Sequence, residues 1–271
     1  KNYKSDNEEK VKFEIELYHI LEQNNFPAPR VVKNLKSNFY GSGDKIYALF
    51  HYIPGIMLQE INSHKAEIIG DLLGKMHFIF QDFQMKIVVQ TWEKEDILGI
   101  IIKHGDKVEI KDFYQAKEFV GFIKNEFGKL NLSTDFPCGM THQDVKPDNI
   151  IESSDAKLSL VDFNNCYQGV LLYDVMTFVI WALFEDDKLN FDFFIKYLKA
   201  YDAQRKLSLV ERKHIIEALK FRLLREAYVW PFRWLNAEKA RKYSWMFVSY
   251  YKDIINNENT YKQKLEKIWQ N

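Results

Sequence analysis

The stretch Thr141-His142-Gln143-Asp144-Val145-Lys146-Pro147-Asp148-Asn149 decides the fold. Behind it come Ile150-Ile151, a turn at Ser153-Ser154-Asp155-Ala156, and the alternating run Lys157-Leu158-Ser159-Leu160-Val161, which ends at Asp162-Phe163. The order is loop, strand, turn, strand, with polar groups kept at both ends. A hairpin of this form brings Asp144, Asn149 and Asp162 to one end. Such a set suits phosphoryl transfer from a nucleotide, where positioning and charge neutralisation do most of the chemistry. One Asp orients the attacking hydroxyl and accepts its proton. A second Asp and an Asn offer magnesium the oxygen ligands it prefers, and it needs few of them from protein.

His142-x-Asp144 with Asn149, then Asp162, resembles the catalytic and metal motifs of the protein-kinase-like phosphotransferases. The resemblance implies that Asp144 is the base, that Asn149 and Asp162 hold magnesium, and that His142 braces the loop. Lys146, two residues after the base, matches a protein-kinase lysine that meets the γ-phosphate; small-molecule kinases often lack it. The chain also carries a second triplet, His104-Gly105-Asp106, with Lys111-Asp112-Phe113 after it. The residue five after Asp106 is Lys111, not Asn, and no strand–turn–strand fits before Asp112. Residues 104–113 therefore read as surface loop and helix start.

The composition sets wide bounds. A chain of 271 residues can bury a large core, as one big domain or two lobes. Lys+Arg 38 against Asp+Glu 38 gives no pointer to nucleic acid or an anionic membrane. Cys138 and Cys166 form no metal or redox spacing, and reduced thiols in a cytoplasmic protein are expected. The longest apolar run, Val175–Phe184, is too short to span a bilayer, and no secretory leader is visible.

Upstream, Asn7–Asn24 has helical period, with Val11, Ile15, Tyr18 and Leu21 or Glu22 along one face and Phe13, Leu17 and Ile20 widening it. Phe26-Pro-Ala-Pro resembles the turn after the regulatory helix of aminoglycoside and homoserine kinases. Aligned on that turn, Glu14 falls where the family's helix Glu pairs with a phosphate-binding Lys; the other reading is a solvated carboxylate like Glu16 and Glu22. Arg30–Leu35 and Lys45–Ile53 read as strands around the turn Gly41-Ser-Gly-Asp44. The second flows into Phe50-His-Tyr-Ile-Pro-Gly55, which looks like the hinge between kinase lobes. Pro54-Gly55 ends the strand and leaves backbone near His51 and Ile53 free to bind adenine, with Phe50 behind the pocket. No glycine-rich loop precedes the first helix. If the family order holds, the chain opens at the end of the lysine strand and the loop lay upstream. Lys1 or Lys4 is then the phosphate lysine, and Lys1 fits better by distance to Glu14; the alternative is a frayed terminus.

Downstream, Lys65–Phe83 is helical, with Ile68, Leu72, Leu73, Met76 and Phe80 inward and His77 a packed histidine. Phe113–Leu130 is helical, with Phe119, Phe122, Ile123 and Phe127 inward. Past Asp162, Leu171-Leu-Tyr-Asp174 opens an apolar helix with no room for an activation loop. This order resembles homoserine kinase and its aminoglycoside-kinase relatives, and implies that Asp174 braces the catalytic loop. Phe191–Tyr201, Val210–Trp230 and Glu238–Ile255 read as further helices. Trp181, Tyr228, Trp230, Phe232, Trp234 and Trp245 crowd this region, as core or as a surface for a cationic amine. Glu185-Asp186-Asp187 is solvated surface or an attractor for that amine. Arg222, Arg225 and Glu226 lie on a helix similar to one near the acceptor in homoserine kinases.

The resemblance is to the aminoglycoside phosphotransferase, homoserine kinase and choline kinase-like family. It implies an α+β, two-lobed protein-kinase-like fold, with residues 1–53 as the small lobe and 54–271 as a helical large lobe. It implies an ATP-dependent (or GTP-dependent) magnesium enzyme phosphorylating a hydroxyl of a small, amine-bearing acceptor. A Ser/Thr protein kinase and a nucleotide-binding pseudokinase are the competing readings. Oligomeric state stays open.

Overall fold

The computed structural model describes residues 1, 3, 8–84, 93–104, 116–233 and 237–269, with backbone alone for 102–104, 116–117, 231–233 and 237–241. The fold is α+β. Its strands are β1 (Val31–Val32), β2 (Gly41–Ser42), β3 (Ile46–Tyr47), β4 (Leu49–Phe50), β5 (Ile56–Met57), β6 (Cys138–Thr141), β7 (Ile150–Glu152), β8 (Leu158–Leu160), β9 (Tyr167–Val170), β10 (Phe184–Glu185) and β11 (Lys188–Leu189). Its helices are α1 (Glu8–Gln23), α2 (Ser63–Ile79), α3 (Lys94–His104), α4 (Ala116–Lys129), α5 (Leu171–Ala182), α6 (Phe191–Gln204), α7 (Leu209–Lys213), α8 (Ile215–Arg233) and α9 (Ala237–Glu266). The chain divides into two compact units. The first holds residues 1–89, 138–168 and 196–206; the second holds 90–137, 169–195 and 207–271. This division runs along different lines from a cut after residue 53, because the loop at 141–149 groups with the N-terminal strands.

In the first unit, α1 buries Val11, Phe13, Glu14, Ile15, Leu17, Tyr18 and Leu21. Val11 and Ile15 form a core cluster with Ile46 and Ala48, flanked by Tyr3, Phe39, Tyr40 and Phe50. The hairpin expected around Gly41–Asp44 is present, with Gly41 opposite Tyr47 and Ser42 opposite Ile46. The strands are shorter than Arg30–Leu35 and Lys45–Ile53, since only Val31–Val32 pairs with Leu49–Phe50. The strand–turn–strand after the loop is also present. Ile150 lies opposite Leu160 and Glu152 opposite Leu158. The turn closes from Ser153 N to Lys157 O at 3.0 Å. β5 adds to the outer side of β7, with Ile56 opposite Glu152.

α2 starts at Asn62, whose side chain accepts from Lys65 N at 2.9 Å, a helix cap. It packs on residues 196–206. His77 is 2% exposed and bonds through Nδ1 to Tyr201 Oη at 2.7 Å, as a packed histidine should. Two glycines allow the close approach. A Cβ at Gly70 would overlap the Tyr197 carbonyl, and one at Gly74 would meet Gln204 Cβ at 2.8 Å.

In the second unit, α8 packs against α4, α5 and α9. Phe221 on α8 meets Phe127 of α4 edge-on, with centroids 6.0 Å apart, and Tyr173 of α5 at 4.3 Å. The helix expected over Val210–Trp230 is two. Ser208 Oγ accepts from Glu211 N at 3.2 Å while Glu211 Oε2 accepts from Ser208 N at 2.8 Å, a capping box that starts α7. His214 then ends it, with Nδ1 turned back onto Val210 O at 2.7 Å. His104 of the second His-Gly-Asp triplet ends α3; the rest of that stretch, residues 105–113, and the start expected for α4 lie outside the described residues. Among the described residues, no helix is long and apolar enough to cross a membrane.

Gly70→Ala should destabilise the protein by about 2 kcal/mol, since overpacking against backbone typically costs 1–3. Urea unfolding should show a lower midpoint at unchanged slope.

Candidate active site

Lys1 is held by the sheet edge. Its main-chain N donates to Ala48 O at 2.8 Å, Ala48 N donates back at 3.1 Å, and Tyr3 N donates to Ile46 O at 2.9 Å. Its Nζ reaches Glu14 Oε1 at 2.7 Å and Asp162 Oδ1 at 3.2 Å. Glu14 is 2% exposed, so the solvated-carboxylate reading of it falls. Burial pushes its carboxyl above the ordinary range, and the Lys1 ammonium opposes this without cancelling it. Lys4 lies outside the described residues.

The residues of the expected catalytic loop are fixed by hydrogen bonds in sequence order. His142, fully buried, bonds through Nε2 to Val161 O at 3.0 Å, while its Nδ1 accepts from Asp144 N at 3.3 Å. These two contacts require the tautomer with hydrogen on Nε2. Lys146 Nζ spans both Asp144 oxygens, at 2.9 and 3.0 Å. Asn149 Nδ2 donates to Asp144 O at 2.8 Å and to Asp144 Oδ2 at 2.9 Å. That leaves Asn149 Oδ1 as the oxygen available to a cation.

Asp162 has left-handed backbone, φ 67° and ψ 62°. A non-glycine residue there costs roughly 1–2 kcal/mol, and such residues persist where surroundings over-determine them. Four rings stand in series behind it. His142 and Phe163 centroids are 4.7 Å apart, Phe163 and Tyr18 5.2 Å, and Tyr18 and Phe50 4.9 Å. Tyr18 was legible only as an apolar-face residue, yet it lies four after Glu14 and so on the same helix face.

At the expected hinge, His51 N donates to Arg30 O at 2.9 Å. The expectation of free backbone there narrows accordingly: the His51 N–H is already used, because the pairing of β1 with β4 continues to Arg30 and His51. The His51 carbonyl and the Ile53 N–H make no backbone bond among the described residues.

The expected acceptor residues belong to the second unit. Arg222 Nη2 lies 3.2 Å and Arg225 Nε 3.6 Å from Glu226 Oε1. Asp174, expected from the family resemblance to brace the catalytic loop rather than to meet the acceptor, is fully buried in the first turn of α5. Glu185 ends β10 opposite Lys188, and Asp186–Asp187 form the turn of the β10–β11 hairpin, where Asp187 accepts from Ser249 Oγ at 2.9 Å. Trp181 and Trp230 are half-buried with centroids 5.9 Å apart, Tyr228 is core, and Trp245 is exposed. The Phe232 side chain and Trp234 lie outside the described residues.

The donor set fits magnesium. No three His, Cys, Asp or Glu side chains cluster for a metal among the described residues. Asn149 Oδ1 and the Asp162 carboxylate would be two hard oxygen ligands, the number this ion commonly takes from protein when phosphates and water supply the rest.

The Phosphotransferase enzyme family (APH) has a sequence model that matches residues 1–208, and the chain belongs to that family. A homoserine kinase of Rhodopseudomonas palustris is 24% identical over 200 residues, covering 71% of this chain and 59% of that protein. A homoserine kinase of Brucella anthropi is 22% identical over 243 residues, covering 88% and 72%. The chain thus spans about three-fifths of the length of the first relative, 59%. A microcompartment-associated aminopropanol kinase superposes with TM-score 0.70 at 13% identity, covering 97% of this chain and 86% of that one. At that identity the likeness speaks for the fold, which is protein-kinase-like α+β.

Two outcomes are expected. Losing even an outer partner of a metal ligand costs roughly 10–100-fold in metal affinity; Asp162→Ala should therefore weaken magnesium–nucleotide binding at least about ten-fold by calorimetry. Glu14 binds its proton more tightly folded than unfolded, so by linkage this group alone makes the folded state less stable as pH rises through that interval. Conversely, the Lys1–Glu14 pair is lost as pH falls through the raised value. Nucleotide affinity should thus fall on acidification before ordinary carboxylates titrate, and Glu14→Gln should abolish that limb.

Proposed function

We propose that the protein transfers the γ-phosphate of ATP, or GTP, to a hydroxyl of a small, amine-bearing molecule. The observation that carries this reading is two linked sets within one unit: Lys1 with Glu14 and Asp162, and Asp144 with Lys146 and Asn149, joined next to Asp162 by the Val161 N–H, which donates to Asn149 O at 2.9 Å. In this reading residues 1–53 are the nucleotide-side lobe and 54–271 carry the catalytic loop and acceptor side. The His51 carbonyl and Ile53 N–H hold the base, with Phe50 behind it. Glu14 aims the Lys1 ammonium at phosphate oxygens. Asn149 and Asp162 hold magnesium, which when bound neutralises charge on the phosphates. Asp144 receives the acceptor's hydroxyl proton, and Lys146, already on its carboxylate, follows the transferring group.

Homoserine and aminopropanol, the acceptors in the relatives' names, are both small amino alcohols. A protein acceptor is disfavoured. Between Asp162 and Asp174 the chain has only the turn Phe163–Asn165, strand β9 and the start of α5, so no extended segment is left to lay a peptide along.

The test is nucleotide turnover against homoserine, aminopropanol, choline, an aminoglycoside and a generic protein substrate. A small amino alcohol or amino sugar should be phosphorylated and the protein substrate should not. General-base catalysis is typically worth 10²–10⁴-fold; Asp144→Asn should therefore cut kcat by roughly 10²-fold or more while nucleotide Kd holds. Asp106→Asn, in the other His-Gly-Asp triplet, should be silent. Phosphorylation of protein with every small alcohol inert would overturn the reading.

A further inference from the structure

Gln143 stands between the His142 anchor and the Asp144 carboxylate, with φ 66° and only 5% of its surface exposed. Glycine adopts that backbone freely; a glutamine needs to be held in it. Its Nε2 donates to Thr141 Oγ1 at 3.0 Å, and the Thr141 hydroxyl donates to Tyr167 O at 2.7 Å. Thr141 is fully buried. A hydroxyl has one hydrogen, and here the Tyr167 carbonyl takes it. The Thr141 oxygen can therefore only accept, so the Gln143 amide must present its nitrogen. The two bonds run one way, Gln143 to Thr141 to Tyr167.

This hook has a geometric consequence. Asp144 N must turn back to His142 Nδ1 while the Asp144 carboxylate turns out to Lys146 and Asn149. The backbone torsions between the His142 ring and the Asp144 amide are His142 ψ and both torsions of Gln143. We propose that Gln143 is a positioning residue: its amide, hooked on Thr141, holds the left-handed turn that aims Asp144. The kinetic part of this inference rests on the phosphotransferase reading; the hook itself does not.

The experiment uses the full chain with Gln143→Gly, Gln143→Ala, Thr141→Val and the double variant Thr141→Val/Gln143→Gly. Glycine keeps the backbone conformation available and removes the side chain that makes the hook. Gln143→Gly should lower kcat about ten-fold, in line with the cost of a slightly misplaced catalytic group, at a nearly unchanged KM for nucleotide. Gln143→Ala, which also disfavours the turn, should lose more. Thr141→Val should match Gln143→Gly, and the double variant should be no worse than either. Hydrogen exchange gives a readout independent of any acceptor. The Asp144 amide should exchange roughly ten-fold faster in each variant, while amides of Ile150–Glu152 keep their protection. Wild-type exchange at Asp144 in Gln143→Gly overturns the proposal, as do additive losses or a lower Tm with kcat unchanged. If the wild type phosphorylates nothing, the phosphotransferase reading fails, and the exchange data still decide the hook.

Discussion

A carboxylate cannot sit buried and charged without a partner, and Glu14 is 2% exposed. Lys1 supplies the partner at 2.7 Å. This one pair fixes the rotation of α1, because turning the helix by one residue, about 100°, would swing Glu14 off the ammonium. The same rotation places Val11 and Ile15 against Ile46 and Ala48, and Tyr18 between Phe50 and Phe163. Sheet edge, helix face and the segment carrying Asp162 are therefore set by one electrostatic requirement.

The second unit solves its polar burial differently. Lys220, on α8, reaches Glu217 at 3.0 Å and Glu258 at 2.6 Å, and Glu126 accepts from Tyr251 Oη at 2.7 Å. Each charge has an opposite charge or a donor beside it. Such networks contribute little net stability but make any loss of a partner costly. Around them the aromatics pack mostly edge-on, as in Trp181 on Phe247 at 5.1 Å, which specifies how the helices meet.

The parts of this fold that were legible are those written locally. The period-2 run after Asn149, the turn at 153–156 and the apolar face of α1 declare themselves within a few residues. Strand lengths did not, because pairing of Val31–Val32 with Leu49–Phe50 depends on tertiary register. The start of α7 was readable in principle from Ser208-Leu-Val-Glu211, a capping signal that a long apolar period masked; the break at His214 was not. At the candidate site, the spacing from Asp144 to Asn149 to Asp162 stands on sequence, and Lys1 with Glu14 came into view only through family order. The Gln143 hook and the Tyr18 ring contacts could not be read, since each joins residues through geometry that no spacing encodes.

An ammonium carries three hydrogens, and on Lys1 two of them face Glu14 and Asp162. In the proposed reaction the third is enough to greet a phosphate without releasing either carboxylate. Lys1 and a divalent ion would nevertheless compete for Asp162. A tighter Lys1–Glu14 pair loosens the Asp162 contact and favours the ion. The ion in turn returns a donor from Lys1 to the phosphates. The coupling has the same magnitude read in either direction, so how strongly nucleotide and metal reinforce each other would be governed by how one lysine divides itself between two carboxylates.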